Sequence, residues 1–319
     1  MKKYFTLLSL KNAFKILKET FNCFIEDRAL KLSAALAYYT IFSLAPLLLL
    51  LISLAGVFFG RDAIQGHVFN EINGFIGNQA AAQIQEIIKN MELSGKTNTA
   101  LAIGIITLII GATSVFGEIQ DSINMIWKLK VVPKRGWVKL LQDRLLSSSL
   151  IVALGFLLVI SLVVNGALLA LNDILKSYFP HVTVILFQII NVVISFIVIT
   201  VLFGVIFKVL PDAKIAWKGV RVGAFFTACL FMLGRYLISL YLETTSAGSA
   251  YGAAGSLIII LVWVYYTSAI LYFGAEFTKV YASFVGRRIQ PATYAVYIGD
   301  DPTPTSFTKI PVDDETKIK

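Results

Sequence analysis

Six stretches of this chain run for about twenty residues or more almost without Asp, Glu, Lys or Arg, and they fix what it can fold into. They are 32–60, 97–117, 145–172, 177–207, 222–242 and 244–275, and only Arg235 interrupts the fifth. A helix needs about 20 apolar residues to cross a hydrocarbon core roughly 30 Å thick. Composition agrees: 57% of residues are hydrophobic and 15% charged, where soluble domains carry about 25% charge. Apolar surface on that scale needs lipid as its solvent. The expected fold is therefore all-α, a polytopic membrane protein with a bundle of six transmembrane helices over 32–280. The first stretch starts too late for a cleaved signal peptide. The glycines opening the sixth, Gly248, Gly252 and Gly255, suggest a loop before the helix proper.

Orientation follows from the basic residues, because short cytoplasmic loops are rich in Lys and Arg. Residues 1–31, the second-to-third and fourth-to-fifth connections, and the C-terminal part hold 23 of the 28 lysines and arginines. All four lie on the same side of a six-span bundle. Both termini are then cytoplasmic. The net charge of +9 reads as this topology signal, so nucleic acid is not an expected partner.

Three pieces lie outside the spans. Residues 1–31 form a cytoplasmic helix in which Leu10, Phe14, Leu17, Phe21 and Ile25 recur at helical spacing between Lys11, Lys15 and Lys18. It would lie on the anionic inner leaflet or pack on the bundle, and the sequence leaves both open. Residues 61–95 read as an external helical hairpin, with Ile84, Ile87, Ile88 and Met91 on one face. It would cover the outer mouth of the bundle or rest on the membrane. Residues 281–319 form a cytoplasmic tail that turns polar after about 290 and is expected to be disordered at its end.

Polar groups at membrane depth are costly and need a reason. Depth counted at about 1.5 Å per residue puts Asn165, Gln188, Asn191, Ser195 and Arg235 in the outer half. Together they would make a cationic, amide-lined pocket for an anionic ligand group. The alternative is a snorkelling Arg235 and amides bonded between helices. Pro46 would kink the first span with Ser43 near the freed carbonyls, making these two, with Gly252 and Gly255, candidates for a hinge or gate. Gly219 and Gly223, spaced G-x-x-x-G, read as close packing. Glu118 and Glu276 sit at the inner ends of the second and sixth spans. Each is expected to pair with a base such as Arg144 or Arg221, or to couple protons. Two cysteines, Cys23 and Cys229, and two histidines, His67 and His181, fit no metal-ligand or redox spacing. No metal or cofactor is expected.

Three segments resemble the YihY/BrkB family of bacterial inner-membrane proteins. The first runs from Ala35-Leu36-Ala37-Tyr38-Tyr39-Thr40 to Ser43-Leu44-Ala45-Pro46. The second runs from Gln120 to Asn124-Met125-Ile126-Trp127. The third is Tyr251-Gly252-Ala253-Ala254-Gly255-Ser256, with Trp263, Tyr266 and Gly274-Ala275-Glu276-Phe277. The resemblance implies a six-helix fold in the cell envelope. The family once carried a ribonuclease label (ribonuclease BN), but this chain offers no cytoplasmic cluster of His and carboxylates to activate water. It is not expected to be an enzyme. Transport or flipping of an amphipathic or anionic envelope component, such as a lipid, is the first expectation. A scaffold holding envelope proteins or a second copy of itself is the second, and an ion-coupled solute transporter the third.

Overall fold

A computed structural model describes residues 10–43, 82, 111, 114–132, 180–244 and 255–298. The helices are α1 (Leu10–Glu26), α2 (29–43), α3 (114–126), α4 (Pro180–Val209), α5 (Trp217–Thr244) and α6 (Gly255–Phe284). Three are long and apolar enough to cross a membrane, over Ile189–Val209, Trp217–Ile238 and Leu257–Phe284. The spans at 97–117 and 145–172, the hairpin at 61–95, the rest of the first span, and residues Pro46, Asn165, Arg144 and Gly252 lie outside the described residues, with minor exceptions at single positions.

α6 is central and packs on both α5 and α1, while α4 packs on the other side of α5. Only 17% of the apolar window of α4 is buried, against 44% for α6. The rim position of α4 shows in its exposed row Ile189, Val193, Ile197 and Val201 at four-residue spacing. Such a face belongs in lipid, because apolar surface within a bilayer has no reason to hide. The opposite face of α4 carries Ile199, Phe203 and Phe207 into the core, where Phe203 meets Phe231 of α5 edge to face at 5.9 Å.

Without a hydrophobic drive between helices, close approach must come from small residues. Gly223 of α5 lies against Thr278 of α6, and Gly274 of α6 against Thr227 of α5. Each threonine hydroxyl donates to the carbonyl four residues back on its own helix, at 2.7 Å. Gly223 thus fits the close-packing expectation, whereas Gly219 meets only Ile215, just before its own helix. Ser43 donates to Tyr39 O at 2.7 Å and Thr40 O at 3.2 Å. Its hydroxyl is spent on its own helix rather than on carbonyls beside Pro46.

Of the two expectations for residues 1–31, packing on the bundle is seen in α1. Ile16, Thr20 and Phe24 are buried; Ile16 joins Phe277 and Val280 of α6, and Phe24 meets the Phe273 ring at 5.4 Å. Phe14, Leu17, Phe21 and Ile25 form a separate exposed stripe. The helix packs on the bundle with one face and leaves the apolar stripe of the sequence exposed.

The end of the bundle at which α1 lies also carries the strands. β1 (Leu129–Val131) pairs antiparallel with β4 (Ala295–Tyr297), and β2 (Ala213–Lys214) with β3 (Gln290–Pro291). Residues 290–298 are therefore ordered, although the chain turns polar there. Backbone pairing to both connections holds them, and polar composition did not reveal it. α6 also continues past Ala275 to Phe284, with Glu276 and Lys279 inside it.

Candidate functional site

The charges inside α6 are tolerated because they meet one another. Lys279 Nζ lies 2.6 Å from Glu276 Oε2, one turn away, in an ion contact. It donates to Asp27 Oδ2 at 3.0 Å and to Ile126 O at 2.8 Å. Asp27 sits in the turn between α1 and α2, and Lys128 donates to its other oxygen. Three elements, α6, the α1–α2 turn and the end of α3, thus meet at one ammonium group. Ile126 O is at the C-terminal end of α3, where exposed carbonyls and the helix dipole favour a cation.

The backbone gives way to make this convergence. Arg28 and Lys128 both adopt left-handed conformations, with φ of 53° and 56°, each just after a helix. For a residue with a β-carbon that costs about 1 kcal/mol or more. The Arg28 turn sets Asp27 beneath α6, and the Lys128 turn leads α3 into β1. Burial works to raise the Asp27 carboxyl. The charge of Lys279 and the bonds from Lys128, Glu276 and Lys279 overcome it and hold Asp27 below the usual carboxylate range.

Glu276 is fully buried, and neither carboxylate oxygen accepts an aligned hydrogen bond. The buried Tyr272 hydroxyl, one turn above on the same helix, likewise has no aligned hydrogen bond among the described residues. The sequence suggests a nearby base as partner for Glu276, for example Arg144 or Arg221. Glu276 pairs with Lys279 on its own helix, because the i, i+3 spacing keeps both side chains inside the bundle, while Arg221 is exposed. Glu118 accepts from Ser122 Oγ at 3.4 Å.

A second buried network lies beside the first. Asp212, in the connection from α4 to α5, accepts from Gln120 Nε2 at 3.0 Å and Asn124 Nδ2 at 2.7 Å. Its own N–H donates back to Asn124 Oδ1 at 2.9 Å. Trp127 Nε1 donates to Ala275 O at 3.1 Å. At this end Asp27, Asp212 and Glu276 turn inward, and the exposed Arg28, Lys31, Lys130, Lys214, Lys218, Arg221, Arg287 and Arg288 outnumber the exposed acids Glu26 and Asp121. The outer surface is left basic.

A groove of about 330 Å³ opens on that surface between the start of α5 and the end of α6. Its rim carries Lys218, Arg221 and Arg287, and Ile215, Val222 and Tyr281 are among its apolar lining. Val222 and Tyr281 also pack beside Ile16 of α1, so the groove adjoins the helix with the exposed apolar stripe. Trp217, exposed at the foot of α5, has Lys208 Nζ 5.6 Å from its ring centroid. An exposed Trp there suits a membrane–water interface.

The family model for virulence factor BrkB matches residues 20–294. The chain belongs to that family. A UPF0761 membrane protein of Pseudoalteromonas atlantica is 27% identical to it over 78% of this chain and 80% of the relative. One of Psychromonas ingrahamii is 27% identical over 83% and 87%. One of Stenotrophomonas maltophilia is 26% identical over 84% of this chain but only 60% of the relative's length. No solved structure matches significantly. With its apolar helices, the chain is a membrane protein of the BrkB/UPF0761 family. The buried groups above fall within the matched span.

Of the outer residues, Arg235 is half-buried in α5 and engaged by a neighbour, Asn191 is exposed on α4 and Ser195 is half-buried. Gln188 lies in α4, and its side chain, like Asn165, is outside the described residues. Gly255 begins α6. The sequence reading missed the roles of Asp27, Asp212 and Lys279. Their signal was present: an acid in a segment crowded with bases at a span edge is a candidate for burial between them.

Proposed function

We propose that this BrkB-family protein moves an anionic amphiphile, of the chemistry of a phospholipid, between the leaflets of the bacterial inner membrane, without catalysing a chemical reaction. The basic end faces the cytoplasm in this reading. The groove between α5 and α6 carries it: three cationic side chains sit beside an apolar wall, next to a helix whose exposed stripe suits the leaflet. A phosphate would meet Lys218, Arg221 and Arg287 while an acyl chain lies on Val222 and Tyr281. Arg235, with Asn191 and Ser195, would meet the same headgroup in the outer half.

The test is lipid movement in proteoliposomes carrying a fluorescent anionic phospholipid, with inner-leaflet label read by an impermeant quencher. The protein should accelerate exchange over empty vesicles, and Lys218→Gln/Arg221→Gln/Arg287→Gln should reduce that acceleration at least tenfold. Exchange no faster than in empty vesicles overturns the reading.

A further inference from the structure

We propose that Glu276 is a proton-binding site, exchanging its proton with the basic end of the bundle by way of Asp27 and Lys128. The inference does not rest on lipid movement and is read by a different measurement.

The geometry sets the two carboxyls of the cluster apart. Asp27 accepts from Lys128 and from Lys279. Glu276 has an unaligned contact with Lys279 and a contact with the Asp27 carboxyl, and no donor among the described residues is aligned with its Oε1. An ionised carboxylate fully out of water needs several hydrogen bonds to be held. Glu276 lacks them, and Lys279 is already occupied by Asp27 Oδ2 and Ile126 O.

Charge counting gives the same answer. Asp27 is met by two ammonium groups, Lys128 and Lys279, and Glu276 only shares the second, so one negative charge has no cation of its own. A proton on Glu276 removes that charge, with the new O–H formed at an oxygen that no other donor occupies. Asp27 then keeps the two lysines to itself. The proton comes from water at Lys128, which is only half-buried, passes the Asp27 carboxyl and returns the same way, so nothing but a proton is exchanged.

The other groups around Glu276 do not replace this role. Cys23 of α1 feels the charges of Glu276 and Glu19 but is a half-buried thiol whose burial favours its neutral form. Tyr272 is neutral and a turn above. Arg28 and Lys31 of α2 are exposed, Lys218 and Arg221 of α5 are exposed at the groove, and Arg235 is high on α5.

The test is infrared difference titration of the full chain in proteoliposomes, cycled between about pH 6 and about pH 9, the range documented for buried Glu. A protonated-carboxyl band should rise and fall reversibly, and Glu276→Gln should abolish it. Glu276→Asp should keep a band at a displaced frequency, which covers the case in which the Gln variant does not fold. Asp27→Asn should move the midpoint to lower pH, because Lys279 would then face Glu276 alone. Wild-type and Glu276→Gln spectra that coincide, or a midpoint that Asp27→Asn leaves in place, would overturn the proposal.

Discussion

Thr278 of α6 stands where a side chain on Gly223 of α5 would have to go: a β-carbon there would lie 1.9 Å from Thr278 Oγ1 and 3.0 Å from its Cβ. The reverse contact, Gly274 against Thr227, is as tight, at 1.9 Å and 2.8 Å. The two helices lock through a reciprocal pair of glycine and threonine. Neither threonine can turn aside cheaply, because each hydroxyl is bonded to its own helix.

Gly223→Ala and Gly274→Ala should therefore each destabilise the protein by about 1–3 kcal/mol, the usual cost of overpacking. The readout is the apparent melting temperature of detergent-solubilised protein. Thr278→Ala removes the nearest atom and should recover part of the Gly223→Ala loss, but none of the Gly274→Ala loss. Equal recovery of both would show that the contacts are not specific.

Lys279 is the ammonium at which α6, the α1–α2 turn and the end of α3 meet, and Lys279→Met would leave Ile126 O without its cross-helix donor and Asp27 with Lys128 alone. A loss of about 2–5 kcal/mol is expected for stranding such buried groups. Lys279→Arg keeps the charge and the donors and should recover part of it. A Met variant as stable as wild type would remove the cluster from the forces that hold this end together.

How much of this was legible beforehand depended on where a residue's partners lie. Spans at α4, α5 and α6 could be read because burial in lipid requires only apolarity, which each segment carries alone. The end of α6 could not, because continuation through Glu276 and Lys279 depends on Asp27 and Ile126, distant in sequence. The same holds for residues 290–298, whose order comes from β1 and β2. The apolar stripe of α1 was visible, but Ile16, Thr20 and Phe24 face α6, and that second face had no signature separate from the first. The basic groove combines residues counted only as topology signals, since Lys218, Arg221 and Arg287 meet only once α5 and α6 are packed.

Asp27 gives a pH dependence of definite sign. Its folded-state value lies below the unfolded one, which is about 3.9. Its contribution to stability is complete above the unfolded value and is lost as pH falls through the folded one. The melting temperature should fall on acidification below about pH 4, and Asp27→Asn should flatten part of that slope. Identical slopes for the two proteins would contradict the ion pairing.

Asn124 binds Asp212 reciprocally, as acceptor from its N–H and donor to its carboxylate. Asn124→Ala leaves two buried groups short of partners, at about 1–3 kcal/mol each. Asn124→Asp should be worse, since a carboxylate would replace the amide donor opposite Asp212. The order wild type, Ala, Asp in melting temperature checks this, and an Asp variant more stable than Ala would refute it.

Cys23 reports on the packing of α1 against α6 without any change of sequence in the cluster. Burial raises its thiol to about 11, with Lys279 opposing and Glu276, Glu19 and Asp27 adding to the rise. An exposed thiol titrates near 8.5, so at neutral pH the thiolate fraction of Cys23 is lower by on the order of a few hundred-fold. In a Cys229→Ser background, alkylation of Cys23 by iodoacetamide should be slower than that of a free thiol by about that factor. The rate should climb tenfold per pH unit to beyond pH 9 or so, where a free thiol levels off. Ile16→Asp, which disrupts the seat of α1 on Phe277 and Val280, should return Cys23 to nearly ordinary reactivity. A fast Cys23 in the unaltered helix would mean that α1 does not stay packed on the bundle.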